Sequence, residues 1–123
     1  MNAVDDNKAT AMLIACYQGH VHIVEMLLSL PSSVDILFTN GEGNSALLAA
    51  ILRGLEPAAL QIIQYATQFH SYSEVKSMLN HKNNEGNTAL ILASIAGMYD
   101  VVEECLKRES ELDYSNHAGW SLG

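Results

Sequence analysis

The sequence predicts an all-α solenoid in which helix-turn-helix units stack side by side and are joined by short β-hairpin-like loops. One motif occurs three times, at residues 5–19, 40–54 and 83–97, most clearly in the last two copies. Its closing glycines, Gly19, Gly54 and Gly97, are 35 and 43 residues apart. A second apolar segment follows each glycine. A recurring motif with a spacing in this range is typical of stacked repeat proteins.

Each position of the motif has a local physical explanation. An Asn or Asp with a Gly two or three residues later favours a tight turn, because these residues tolerate a positive φ. A hydroxyl follows where a helix should begin and can accept a hydrogen bond from a free backbone N–H. The closing glycine then ends the helix in the left-handed conformation. The hydroxyl residues are Thr10, Ser45 and Thr88, and alanines small enough for close helix packing are Ala15, Ala50 and Ala93.

The second copy contains an insertion. About ten residues more than the usual repeat length separate Ile63 from Asn83. Pro57 suits the first turn of the second helix, and Ser71 and Glu74 have the spacing of a capping box. We therefore predict an extended second helix, a break and one or two turns of additional helix at about 66–80. This helical insertion after the second repeat either carries a function or only covers an apolar gap on the convex side.

The motif resembles the ankyrin repeat, and the resemblance covers nearly the whole chain. Residues 86–90 (Gly-Asn-Thr-Ala-Leu) and 101–106 (Val-Val-Glu-Glu-Cys-Leu) match its two halves best, and Gly19-His20 matches its Gly-His turn. The Pro of the family pattern is replaced by Ala11, Ala46 and Ala89, and its His by Leu13, Leu48 and Ile91. Since that His often links neighbouring loops in the family, we expect less rigid hairpins here.

The resemblance implies a single ankyrin-repeat domain over residues 1–123. The repeats are expected at about 5–39, 40–82 and 83–115, with a partial fourth repeat at 116–123. The first helix of this fourth repeat would be incomplete. The flank of the third repeat that a fourth repeat would cover is therefore expected to be partly exposed. We therefore expect either a fragment of a longer protein or a chain that buries this C-terminal end by self-association. In solution the chain is expected to be a monomer or to associate weakly through this end.

Composition limits the possible partners. The formal net charge is −8, from 14 acidic and 6 basic residues, which disfavours nucleic acid and anionic membrane surfaces as partners. The acidity either serves solubility or attracts a basic protein partner. No apolar run is long enough for a membrane helix, and the first residues do not form a secretory signal. Cys16 and Cys105 lie on apolar helical faces and are expected to be buried, reduced thiols, which favours a cytoplasmic location.

The sequence offers no combination of residues suited to catalysis, so we expect no enzyme activity, no cofactor and no metal. His20 and His22 are too few for a zinc site, and His20 is better explained as part of the turn. Glu103 and Glu104 are adjacent on a helix, so their side chains diverge by about 100°.

The resemblance instead implies a protein–protein interaction module that binds on a concave face of hairpin tips and first helices. The alternative is a docking or structural segment of a larger multidomain enzyme or effector. Tyr, Trp and Arg on such a face favour binding, as do exposed Leu and Ile. The predicted partner-binding residues are Asp6, Asn7, Tyr17, Gln18, Glu42, Asn44, Leu52, Arg53, Asn84, Glu85, Asn87, Ile95 and Trp120.

Overall fold

The computed structural model describes residues 3–30 and 34–118, with side chains described for 8–30 and 34–110. These residues form helices joined by turns, with one isolated antiparallel bridge between Thr39 and Ser45. No described helix combines the length and apolarity that crossing a membrane requires. The helices are α1 (Ala3–Gln18), α2 (Val21–Ser29), α3 (Ala46–Leu52), α4 (Glu56–Phe69), α5 (Tyr72–Asn80), α6 (Ala89–Ala96) and α7 (Tyr99–Ala118).

The helices lie in two layers. The first-helix layer contains α1, α3 and α6 in that order, and the second-helix layer contains α2, α4 and α7. Each first helix also packs against the second helix that follows it, while α5 packs against α4, α6 and α7. The central helix α3 is buried from Leu47 to Ile51. This arrangement confirms the predicted all-α solenoid.

Small residues allow the first helices to approach each other. Ala15, Ala50 and Ala93 occupy equivalent positions and are all buried. The glycines that follow these helices have φ near +75° to +81°, a conformation that only glycine adopts without steric cost. In each copy the residue after the glycine donates its N–H to the carbonyl of the equivalent alanine, at 2.8 to 3.0 Å. The predicted left-handed caps are thus confirmed.

The hydroxyl caps form in two of the three copies. Ser45 accepts a hydrogen bond from the Leu48 N–H and Thr88 from the Ile91 N–H, each at 3.3 Å. Thr10 does not cap a helix, because α1 already begins at Ala3. Lys8 stands where the other copies have a glycine with positive φ, so the chain continues as a helix instead of turning.

The helical insertion has the predicted order of extended helix, break and additional helix, although α5, with 9 residues, is longer than the one or two turns expected. Pro57 lies in the first turn of α4, and α4 ends at Phe69, one break before α5. The break is stabilised by the Ser71–Glu74 capping box. Hydrogen bonding from the Ser71 backbone and then from His70 lowers the pKa of the Glu74 carboxyl, so it remains charged.

The partial fourth repeat expected from residue 116 does not begin with a hairpin turn, because α7 continues to Ala118. The physical reason is that residues 110–118 include neither glycine nor proline to end the helix. Residues 119–123, including Trp120, lie outside the described part of the chain.

Candidate partner-binding surface

Two hairpin loops, residues 40–45 and 83–88, precede α3 and α6 and are built in the same way. The Asn40 Oδ1 atom accepts hydrogen bonds from the N–H groups of Glu42 and Asn44, both at 3.0 Å. Asn83 makes the same two bonds in the second loop, also at 3.0 Å. The Asn side chain thus takes the place of a backbone acceptor and fixes the turn, as such residues commonly do.

Each loop turns at a glycine of positive φ, and one of these glycines also lies against the other loop. Gly43 has φ +79° and Gly86 has φ +82°. A Cβ atom on Gly43 would lie 2.7 Å from Asn84 Oδ1 and 3.0 Å from the Asn84 backbone N, whereas one on Gly86 would meet no atom within 4 Å. Gly43 therefore permits both the turn and the close approach of the two loops.

Hydrogen bonds join the two loops. The Asn84 backbone N–H donates to the Glu42 carbonyl and its side-chain amide to the Gly41 carbonyl, both at 3.0 Å. His81 Nε2 donates to the Gly43 carbonyl at 2.6 Å. The sequence lacks the His that often links neighbouring loops in such repeats. Here other residues, Asn84 and His81, make the hydrogen bonds between the loops. His81 has no counterpart in the motif, so sequence reasoning had no signal for it.

Tyr17 connects the first repeat to these loops. Its hydroxyl accepts hydrogen bonds from the side-chain amides of Asn40 at 3.1 Å and Asn44 at 2.9 Å, and it donates to Glu42 Oε1 at 3.4 Å. Asn44 Oδ1 in turn accepts from Asn83 Nδ2 at 2.9 Å. One polar chain thus runs from Tyr17 through Asn44 to Asn83, and the loops are held in register.

Several predicted binding residues differ from the expectation of an exposed tip. Asn44 is buried, with 5% of its surface exposed, and Tyr17 and Asn87 are half-buried. For Tyr17 and Asn44 the reason is the polar chain, in which their side chains hydrogen-bond to each other and, through Asn44, to Asn83. Asp6 and Asn7 lie in helix α1 and not in a hairpin, because the first copy lacks the turn glycine.

The remaining predicted residues within the described part of the chain are exposed on the side of the loops and the ends of the first helices. Leu52 and Ile95 occupy the position equivalent to Tyr17 in the second and third copies, with 46% and 75% of their surfaces exposed. We call this set the hairpin face; it consists of Gln18, Glu42, Leu52, Arg53, Asn84, Glu85 and Ile95.

The described residues show no group of side chains suited to binding a metal ion. No three His, Cys, Asp or Glu side chains among them are close enough to hold a metal ion. Burial raises the pKa of the Cys16 thiol to about 12 and that of the Cys105 thiol to about 11, with the nearby Glu109 and Glu104 carboxylates adding to the latter. Neither thiol is therefore a nucleophilic thiolate at neutral pH.

The carboxylates and histidines considered above for catalysis or zinc binding do not converge on a common site. Glu104 pairs with Arg108 at 2.8 Å, whereas Glu103 is exposed, so the two carboxylates do not converge. His20 is exposed and its side chain does not cap α2. His22 pairs with Glu25 at 3.1 Å.

Comparison with protein-family models gives two matches. A model described as ankyrin repeats in three copies matches residues 1–68, and a model of a single ankyrin repeat matches residues 85–117. Most of the insertion, from residue 69 onward, lies between the two matched ranges.

Proposed function

Because the chain belongs to the ankyrin-repeat family, whose repeats are generally protein–protein interaction modules, we propose that it is a non-catalytic module that binds a protein partner through the hairpin face. The family is typically non-catalytic, and the concave side of a repeat stack offers an extended surface to a partner.

The observation that carries this proposal is the exposure of Leu52 and Ile95 at equivalent positions of adjacent helices. α3 and α6 pack side by side, so the two side chains form part of one apolar stripe beside the hairpin loops. An exposed apolar stripe with a polar rim is typical of interaction surfaces. Gln18, Arg53 and the loop carboxylates supply that rim.

The charge of the hairpin face favours a basic partner. Glu42 and Glu85 are exposed at equivalent positions of the two loop tips, and the whole chain carries a formal net charge of −8. Such a field increases the rate at which a cationic partner associates and repels nucleic acid and anionic membranes. The buried thiols fit a reducing, cytoplasmic location.

The far flank of the third repeat supports weak self-association of a chain that is otherwise monomeric. Ile91 is 41% exposed and Leu106 is 50% exposed, whereas the equivalent Leu48 and Ile63 of the second repeat are fully buried by the third. We expect sedimentation equilibrium to show an average mass that increases weakly with concentration. A strictly constant mass up to millimolar concentration would argue against this part of the proposal.

The binding role is tested by partner capture with photo-crosslinking and identification of the crosslinked peptides. The double variant Leu52→Ser, Ile95→Ser should capture at least tenfold less of the partner, because it removes the apolar stripe without touching the core. The matched control is Ile23→Ser, Tyr99→Ser, which changes two exposed apolar residues of the second-helix layer. Equal capture by the two double variants would contradict the hairpin face as the binding site.

A further inference from the structure

A groove lies in the second-helix layer, on helices that do not carry the hairpin face. It runs between α2 and α4, and its volume is about 310 Å³, at the lower end of the range for small-molecule pockets. α4 is 14 residues long and α2 only 9. The part of α4 that extends beyond α2 belongs to the insertion and supplies Gln68 and Phe69 to the lining of the groove.

Aromatic side chains form one end of this groove. The Tyr65 and Phe69 rings pack at a tilted angle with their centroids 5.1 Å apart. Tyr65 is held in place because its hydroxyl accepts a hydrogen bond from the Val34 N–H at 3.0 Å. Phe69 is 64% exposed. A fixed apolar surface is therefore left open to a guest side chain.

A carboxylate forms the other end. Gln61 Nε2 donates to Glu25 Oε2 at 2.8 Å, and His22 lies 3.1 Å from the other carboxylate oxygen. The hydrogen bond from Gln61, followed by that from His22, lowers the pKa of the Glu25 carboxyl, so it is charged at neutral pH. Neither α2 nor α4 contains a Lys or Arg.

The amide between the two ends has an unmet hydrogen-bonding capacity. The Gln61 Oε1 atom is buried and has no hydrogen-bond partner among the described residues. A buried acceptor without a donor is unfavourable. If a guest cation takes over the contact with Glu25, the Gln61 amide is released and its oxygen can accept an N–H from the guest.

We propose that this groove is a second docking site, which binds a short peptide segment of a partner protein with a Lys or Arg side chain against Glu25 and an aromatic side chain against Phe69. Gln61, which is hydrogen-bonded to Glu25, and Gln68, next to Phe69, are seven positions apart on α4, or about 10 Å at the helical rise. An extended peptide covers that distance in about three residues. The spacing therefore fits a basic residue and an aromatic residue three positions apart. The docking site does not depend on the hairpin face.

The test is an NMR titration of the ¹⁵N-labelled chain with the blocked peptide Arg-Ala-Ala-Phe. We expect shifts of the amide signals around Gln61 and Phe69, with binding at millimolar peptide that weakens as salt is added. Glu25→Gln and Phe69→Ala should each weaken binding at least fivefold. Tyr99→Ala, a comparably exposed aromatic residue of α7 that belongs to neither the groove nor the hairpin face, is the control and should leave the affinity unchanged.

Two results would overturn the proposal. One is the absence of shifts around the groove at millimolar peptide; the other is equal binding of Glu-Ala-Ala-Phe, in which the cation is replaced by an anion. Glu25 and Phe69 are exposed, so both variants should fold, and circular dichroism checks this. If either loses helix signal, Glu25→Ala or Phe69→Leu replaces it and is judged by the same affinity ratio.

Discussion

The loops at 40–45 and 83–88 have the same internal hydrogen bonds but different neighbours. The first loop lies between Tyr17 on one side and Asn83 and Asn84 on the other. The second loop contacts the first on one side, and among the described residues no hydrogen bond to another loop is found on its other side. The two loops thus have the same internal structure, but the first is enclosed by neighbours on both sides and the second is open on one side.

This difference makes it possible to separate two contributions to the free energy of unfolding: the turn within a loop and the contacts between repeats. The Asn and Gly of each loop make the turn, and their contribution should be similar in both copies. The contacts between repeats add to it only where a neighbour is present. Matched substitutions in the two loops therefore measure the contribution of the neighbour directly.

The largest difference is expected for the turn glycines. Gly43→Ala should lower the free energy of unfolding by about 3 kcal/mol, because it combines the left-handed backbone cost with overpacking against Asn84. Gly86→Ala has the same backbone cost without the overpacking and should lower it by only about 1 kcal/mol. Urea denaturation of both variants gives the two values. Equal losses would mean that the loops can separate at Gly43 without cost.

The loop asparagines should show a smaller difference. Asn44→Ala removes the central member of the polar chain and leaves the buried Asn83 amide without its acceptor, so we expect a loss of about 2 kcal/mol. Asn87 occupies the equivalent position, and no hydrogen bond of its side chain is found among the described residues. Asn87→Ala should therefore cost less than about 0.5 kcal/mol. Thermal unfolding of the two variants measures the difference, and a costlier Asn87→Ala would contradict the assignment.

Tyr17→Phe tests only the contact between the first repeat and the loop at 40–45. Loss of the hydroxyl leaves two side-chain amides, those of Asn40 and Asn44, without an acceptor. We expect the free energy of unfolding to decrease by about 1 kcal/mol. Tyr99→Phe is the control, because Tyr99 is 72% exposed and should show no measurable change. Equal urea midpoints for the two variants would show that the Tyr17 hydroxyl does not stabilise the loop through hydrogen bonds.

Local rules were sufficient to predict most of the helical framework. The periodicity, the glycine caps and the Ser71–Glu74 capping box depend on residues close in sequence, and each was confirmed. Thr10 shows the limit of motif alignment. It matches Ser45 and Thr88 in position, but Lys8 replaces the turn glycine and the helix continues past it.

The candidate surface was less predictable, because exposure depends on neighbours. Asn44 and Asn87 are equivalent in sequence, yet Asn44 is buried between repeats while Asn87 is only half-buried. His81 contacts Gly43 across 38 positions, and no short-range pattern encodes such a contact. Leu52 and Ile95 are exposed, as the sequence predicts for residues just before each closing glycine.

The smallest expected effect is an increase in the free energy of unfolding. It tests whether the contact between α1 and the loop at 40–45 can be reproduced between α3 and the loop at 83–88. Leu52 occupies the position of Tyr17 relative to the following loop, and the Asn87 amide stands where Asn44 donates to the Tyr17 hydroxyl. Leu52→Tyr should therefore supply an acceptor for Asn87 and raise the free energy of unfolding by about 0.5 kcal/mol relative to Leu52→Phe. The Phe variant has the same ring without the hydroxyl, so the difference isolates the hydrogen bond. A Tyr variant no more stable than the Phe variant in urea would show that the second loop is not positioned like the first, and that the enclosed loop owes its polar chain to geometry that the open loop lacks.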